Sequence, residues 1–344
     1  MRCLRPALWA LILLGTSSAA LAQSTGIGKY AGEFMATGIG GRALALGGAY
    51  AGVADDVTAG YWNPAGLMQL DYPEIGLMHE QRFGGLLTSN YAGVAWPFGR
   101  NNTVALTVTR LGIDDIPDTR NALIDLNGNG QLDPNERLDY SKITMFNSAD
   151  WAAYLSYAFR SSDKLALGVN LKFVRRDLAE ASANGIGFDA GALYRVDDRL
   201  TLGATVQDVT TTLIAWSTGT NDLVSPTAKI GASYTLDMLG GTIMPAVDLD
   251  IMAENRQTAS LVHLGPVSIS PRVGLEYGFR NLFALRVGYN DAQNLSFGAG
   301  IHLPKLHVDY AFGQNPLASE SFKEPSHRIS IRLTLEEKKF FRGE

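Results

Sequence analysis

Residues 165–173, Leu-Ala-Leu-Gly-Val-Asn-Leu-Lys-Phe, alternate large apolar residues with small or polar ones. Successive side chains of a β-strand point to opposite faces, so this segment predicts a strand with one apolar and one polar face. The same alternation recurs in roughly fourteen segments between residues 74 and 335. In a membrane barrel one face contacts lipid and the other a polar lumen. We therefore predict an all-β fold, a transmembrane antiparallel β-barrel of about fourteen strands.

Residues 1–22 have the features of a secretory signal peptide. Arg2 and Arg5 precede an apolar core from Ala7 to Leu14, and small residues suited to cleavage follow at 20–22. Beyond them no apolar run reaches the roughly 18 residues that a membrane helix needs, so membrane crossing depends on strands. We predict export, cleavage of the signal and an integral position in the bacterial outer membrane, in contact with its lipids.

The composition excludes several kinds of site. Cys3 is the only cysteine and lies in the signal, so disulfides, thiolate zinc sites and cysteine nucleophiles are excluded from the mature chain. Loss of Arg2 and Arg5 moves the net charge from −5 to −7, which argues against nucleic acid as a partner. No Gly-x-Ser-x-Gly motif occurs, and we predict no catalytic residues; because triads are defined by geometry, an enzyme stays open as an alternative.

Residues 23–72 lack the period-two pattern and precede the first predicted strand. Since small inward-facing residues leave room in the lumen, we predict that this segment is a plug or hatch there. Asp55 and Asp56 would then need cations or backbone donors, and the candidate cations are Arg42, Arg272, Arg286 and Arg332. Alternatively, both aspartates cap a short helix from Val57. The barrel is predicted at 73–336, with a long outer loop at 113–149, and a polar tail at 337–344.

Part of this segment resembles a known family. The matching residues are Gly-Gly-Arg-Ala at 40–43, Gly-Gly-Ala at 47–49, Ala-Asp-Asp at 54–56 and Tyr-Trp-Asn-Pro-Ala-Gly-Leu at 61–67. They resemble the segment before the barrel in PorV/PorQ-type outer-membrane proteins, which belong with the FadL-like long-chain fatty acid transporters. The resemblance implies a hatch inside a fourteen-stranded barrel, anchored by Asn63, Pro64 and Ala65. Trp62 and Gly66 are closer to PorV than to FadL.

This resemblance implies two functions, both without chemistry. The first is a PorV-like accessory in secretion or surface attachment, with secreted proteins or a secretion-system component as partners. It would have a filled lumen and a binding surface on its outer loops. The alternative is a FadL-like passive transporter of a hydrophobic small molecule, with an apolar pocket beside the plug and a side opening. Pro245, inside a predicted strand, marks either a gap in the wall or a bulge.

The inward parity also predicts a charged lumen. The candidate lumen residues are Arg272, Glu276, Arg286, His302, His307, Asp309 and Arg332. His302 and His307 should face each other across the turn at 304–305, with Asp309 close by. Two imidazoles and a carboxylate form either a metal or pH-responsive site or an ordinary hydrogen-bonded group.

A calcium-type motif lies within the 113–149 loop. Asp125, Asn127, Asn129, Gln131, Asp133 and Glu136 occupy positions 1, 3, 5, 7, 9 and 12 of such a loop, with Gly130 at position 6. Because hard cations need six to eight converging oxygens, this spacing predicts a structural Ca²⁺ site of weak affinity. The alternative is a loop closed by Asn and Asp turns without a metal.

Overall fold

The computed structural model describes residues 26–27, 32–253, 262–264, 267–290, 295–314 and 325–342. Within these ranges fourteen strands form a closed antiparallel barrel, which confirms the predicted fold. The strands are β1 (Glu74–Arg82), β2 (Leu87–Phe98), β3 (Asn102–Asp118), β4 (Thr144–Arg160), β5 (Leu165–Leu178), β6 (Ala181–Arg195), β7 (Leu200–Gln207), β8 (Thr227–Tyr234), β9 (Gly241–Met252), β10 (Val267–Phe279), β11 (Phe283–Asn290), β12 (Leu295–His302), β13 (Leu306–Gln314) and β14 (Ser326–Thr334). The predicted signal peptide lies outside the described residues.

Each barrel strand pairs with its neighbours in the chain, and β1 pairs with β14 from Glu74–Thr334 to Gln81–His327. Closure satisfies the backbone hydrogen bonds that lipid cannot. Short turns such as 99–101 and 161–164 lie at one end, and the long 119–143 connection at the other. Short turns at the periplasmic end are typical of outer-membrane barrels, and we call the short-turn end the periplasmic end. Among the described residues, no helix is long and apolar enough to cross a membrane.

The two faces of the wall follow the period-two pattern. On β5, Val169 and Phe173 are exposed, whereas Asn170 and Lys172 are buried. Outward residues on other strands include Leu106, Leu202, Leu275, Phe297 and Ile331. The apolar face is therefore directed to lipid and the polar face to the lumen.

Residues 33–70 lie inside this barrel; we call them the inner segment. They contain two short helices, α1 (Gly41–Ala45) and α2 (Ala59–Trp62), and the 3₁₀ turns Glu33–Thr37 and Pro64–Gln69. Helix α1 packs against β11 to β14, and the Pro64–Gln69 turn against β2 to β6. Tyr50, Leu46 and Leu67 are fully buried. The main apolar core thus lies between the inner segment and the wall.

The regular strand pairing of the wall is interrupted after β7, although the Val209 N–H still donates to the Phe188 carbonyl of β6 at 2.8 Å. The short strand Thr212–Trp216 continues β7 after a four-residue break and pairs with β6 and with Asn221–Val224. In the break Asp208 and Thr211 have φ of 57° and 63°, a strained region for residues other than glycine. The alignment with β6 changes across the break, from Ala190–Val206 to Ile186–Leu213.

A short N-terminal strand, Gly26–Ile27, lies beside the break at 208–211. The β8–β9 pairing ends at Thr227–Met252, and Asp222 and Leu223 pair in parallel with Gly26 and Ile27. A piece of the chain from before the inner segment thus takes a position in the wall.

Pro245 is not the site of a gap. The β8–β9 pairing stops at Ser233–Ala246 and resumes in unchanged register between Leu236–Met238 and the start of β9. Pro245 itself pairs with Leu275 of β10. Proline lacks a backbone N–H, so it interrupts the ladder locally and produces neither a bulge nor an opening.

Residues 335–342 differ from the expected free polar tail. Strand β14 ends at Thr334, and Lys338–Phe340 forms a 3₁₀ turn. Phe340 packs on Trp96 and Phe341 on Tyr72, and Arg342 is buried. The segment folds back at the periplasmic mouth through these aromatic contacts, in which Phe341 and Trp96 stay 43% and 42% exposed.

Candidate functional site

Asn63, Pro64 and Ala65 join the inner segment to β5 and β6. The Asn63 side chain accepts from the Ala65 N–H at 3.2 Å and donates to the carbonyls of Ala51 (2.9 Å) and Ala192 (3.1 Å). Two strand glycines permit this approach, since a Cβ on Gly168 would lie 2.4 Å from the Ala65 nitrogen, and one on Gly191 2.2 Å from the Asn63 side-chain oxygen. The backbone of this motif therefore packs directly on the wall.

Arg42 of the inner segment binds two carboxylates in the periplasmic half of the barrel. Its guanidinium contacts Asp55 at 2.6 Å and Glu276 at 2.8 Å. Glu276 also binds Arg286 at 2.5 Å, and Arg286 binds Asp309 at 2.6 Å. One chain of alternating charges thus ties the inner segment to β10, β11 and β13.

Asp56 combines the two roles considered for it. Its carboxylate accepts from the Thr58 N–H at 2.8 Å, as a cap does, and lies 3.2 Å from Arg332. Arg272 stands apart from this group, because it pairs with Asp250 at 2.7 Å, beside Lys229. The period-two pattern places Arg272 and Arg332 on the same inward face, but it does not indicate which carboxylate each of them pairs with.

His302 and His307 stack with ring centroids 4.6 Å apart. Arg286 contacts the His302 Nε2 at 3.3 Å, and Arg332 contacts the His307 Nδ1. Asp309 lies 3.7 Å from His302. Guanidinium groups against both imidazoles repel a further cation, which favours the hydrogen-bonded lumen group over a metal site.

Some buried charges are not among the candidate lumen residues, although the period-two pattern already places Asp189 and Asp248 on the inward face. Glu80 and Arg328 pair at 2.7 Å with both side chains almost fully buried. Lys172 contacts Asp189 at 2.9 Å and Asp208 at 2.6 Å. Asp248 accepts from the backbone N–H groups of Tyr50 and Ala51. The period-two pattern could also have indicated Lys172, but it gives no such sign for Glu80, because polar residues occupy both faces of β1 there.

An apolar cluster lies beside the break after β7. Phe34 and Met35 of the inner segment are buried in one cluster with Val174, Ile214 and Val224. Ile214 and Val224 belong to the short strands that follow the break. At the rim, the Arg176 guanidinium lies 5.1 Å from the Phe34 ring and 5.4 Å from the Trp216 ring. Apolar side chains thus extend from the wall to the lumen, and the inner segment fills the space between them.

The calcium-type loop is exposed and closed by its own side chains. Asp125 accepts from the N–H groups of Asn127, Gly128 and Gly130. The N–H of Gly130, with those of Gly128 and Asn127, lowers the pKa of Asp125. Glu136 accepts from the N–H groups of Leu126 and Asp133. Among the described residues no group of three or more acidic or histidine side chains converges closely enough to bind a metal, so Ca²⁺ stays a prediction.

No family model and no curated protein matches the chain. Among solved structures, the monoaromatic hydrocarbon channel CymD is similar with a TM-score of 0.54 at 14% identity, over 87% of this chain and 98% of that one. The P. putida toluene transporter TodX has a TM-score of 0.55 at 12% identity, over 86% and 96%. A Pseudomonas aeruginosa FadL homologue has a TM-score of 0.53 at 11% identity, over 86% and 98%. The chain therefore has the fold of the FadL- and TodX-type channels.

Proposed function

We propose that the protein is an integral outer-membrane channel that passes a hydrophobic small molecule passively through its wall. One observation carries the proposal: the β6–β7 pairing shifts register at 208–211, where only the Val209 N–H donates to a β6 carbonyl, that of Phe188, and an apolar cluster that reaches the lumen lies beside this place. The similar structures include a toluene transporter and a monoaromatic hydrocarbon channel, so toluene is the first probe.

Since the inner segment packs against the wall from inside, we propose that this arrangement is the closed state of the channel. Passage requires Phe34 and Met35 to leave the apolar cluster, which would uncover Ile214 and Val224. The Asn63–Ala65 motif packs on the glycines of β5 and β6, and we propose that it stays in place while the Glu33–Thr37 turn moves.

The secretion-accessory hypothesis stays the alternative. A secretion accessory and a closed channel would both have a filled lumen, so this feature does not distinguish the two functions. The comparisons favour a channel and give no support to a PorV-type partner.

A reversible disulfide tests the channel proposal. A Cβ on Gly32 would lie 2.7 Å from the Val224 Cγ1, so Gly32→Cys with Val224→Cys should form a disulfide that fixes the residue just before the inner segment to the wall. We expect the oxidised protein to lose most toluene passage, measured as uptake of labelled toluene by intact cells, and a reductant to restore it. The mature chain is expected to contain no other thiol to interfere.

Each single cysteine variant is the matched control and should take up toluene like the parent protein. Mass spectrometry would verify the disulfide. Unchanged uptake by the fully oxidised double variant would refute the proposed route.

We also propose that the 125–136 loop binds Ca²⁺. Calorimetric titration should give a dissociation constant of about 0.1 to 1 mM. Glu136→Gln should weaken binding at least tenfold, because position 12 supplies up to two carboxylate oxygens. Asp198→Asn, at an exposed turn at the other end of the barrel, should leave the titration unchanged. No binding heat in the parent protein up to 10 mM Ca²⁺ would favour the loop without a metal.

A further inference from the structure

Residues 335–342 contact the linker by which the inner segment reaches β1. The Leu335 N–H donates to the Pro73 carbonyl at 2.9 Å, and the Arg342 N–H donates to the Asp71 carbonyl at 2.8 Å. The segment 335–342 is thus hydrogen-bonded to the linker at Asp71 and Pro73, at the periplasmic mouth.

The Arg342 side chain reaches further into the barrel. Its guanidinium donates to the Leu70 carbonyl at 2.7 Å, the Leu67 carbonyl at 3.3 Å and the Thr103 hydroxyl at 2.5 Å. Leu67 belongs to the end of the Pro64–Gln69 turn, and its carbonyl also accepts from the Leu70 N–H at 3.4 Å and from the Thr103 hydroxyl at 3.0 Å. Thr103 lies at the start of β3 and is fully buried. One side chain therefore joins the end of the inner segment to the wall.

Two aromatic contacts hold this arrangement in place. Phe340 packs edge-on against Trp96 at 5.2 Å between ring centroids, and Phe341 packs against Tyr72 at 5.3 Å. Trp96 is on the wall and Tyr72 is on the linker. The flanking Lys339 is exposed and pairs with Glu337 at 2.9 Å, within the C-terminal segment itself.

We propose that residues 338–342 form a latch that keeps the end of the inner segment, residues 64–73, in the periplasmic mouth, with Arg342 as its positioning residue. The latch goes beyond the channel proposal, because it concerns closure of the mouth and requires no hydrophobic substrate. While it is closed, movement of the inner segment is confined to the part before residue 64.

Ion conductance tests the latch. We would insert the full-length protein and Arg342→Ala into planar bilayers and record the current. The parent protein should be closed nearly all the time, and Arg342→Ala should raise the open fraction at least tenfold, because water replaces the guanidinium between Leu67, Leu70 and Thr103. Arg342→Lys keeps the charge without the planar fork of donors and should give an intermediate value.

Arg199→Ala is the matched control, since it removes an exposed positive charge from another turn at the same end of the barrel, outside residues 338–342, and it should behave like the parent. A second measurement does not depend on the folding of any variant. Carboxypeptidase Y, applied to the folded parent barrel, should remove the C-terminal residues through Arg342 and raise the current. A folded Arg342→Ala barrel as closed as the parent, or no change in current after the tail is removed, would overturn the latch. Neither result bears on toluene uptake, so the two proposals fail independently.

Discussion

Glu80→Gln should lower the free energy of unfolding by about 3 to 5 kcal/mol. Glu80 accepts from Arg328 at 2.7 Å and from Arg82 at 2.9 Å, and its side chain is fully buried. Glutamine has nearly the same shape but no charge, so the buried Arg328 guanidinium would lose its counterion and still lie near Arg82. Guanidinium chloride unfolding in phospholipid vesicles, followed by tryptophan fluorescence, would measure the loss.

The double variant Glu80→Met with Arg328→Met separates this cause from a packing defect. It removes both charges at similar volume, and replacing a buried pair in this way is often neutral. We expect it to recover most of the stability. If the double variant is as unstable as Glu80→Gln, the shape of the pair matters more than its charge.

Val169→Arg should destabilise the barrel by about 2 to 4 kcal/mol. Val169 is 48% exposed near the middle of β5, where it pairs with Tyr157 and Ala190 on the lipid-facing surface. A guanidinium there must remain in hydrocarbon or deform the bilayer. The same unfolding titration in vesicles measures the effect.

Leu165→Arg is the depth control for this prediction. Leu165 is the first residue of β5 and is on the same face, next to the periplasmic turn. The cost of a charge falls to about 0 to 1 kcal/mol near the interface. An equal loss at both positions would show that the apolar band is not centred near Val169.

The sequence also suggests that Asn170→Arg, on the polar face, should be tolerated better than Val169→Arg. The structure contradicts this expectation. Asn170 is 2% exposed, and its side chain donates to Gly60 at 2.8 Å and to Asp189 at 3.1 Å. The inner segment fills the lumen at this height, so an arginine does not fit.

Strand parity was predictable because it needs only a period of two. The inward position of Glu276, Arg286 and Asp309 follows from it directly. Which charges pair does not, because pairing depends on the height of each residue in a closed ring. Arg42 thus reaches Glu276, 234 positions away, while Arg272 pairs with Asp250 instead.

Two elements escaped prediction for local reasons. Polar residues occupy both faces of β1 near Glu80, where His79 and Gln81 point outward, so the alternation gives no sign of a buried pair. The Glu-Glu-Lys-Lys run at 336–339 is typical of a solvated tail. The contacts of Phe340, Phe341 and Arg342 depend on surfaces that exist only after the barrel has closed.

The pairing of the first strand with the last also constrains biogenesis. The inner segment is synthesised before any barrel strand, and the ring is complete only when β14 meets β1. Folded residues could not enter a finished ring past Gly168 and Gly203, where a single added carbon would already clash with the inner segment. We therefore expect the N-terminal residues to be among the strands before the last seam forms, so that the membrane receives the wall and its contents in one insertion event.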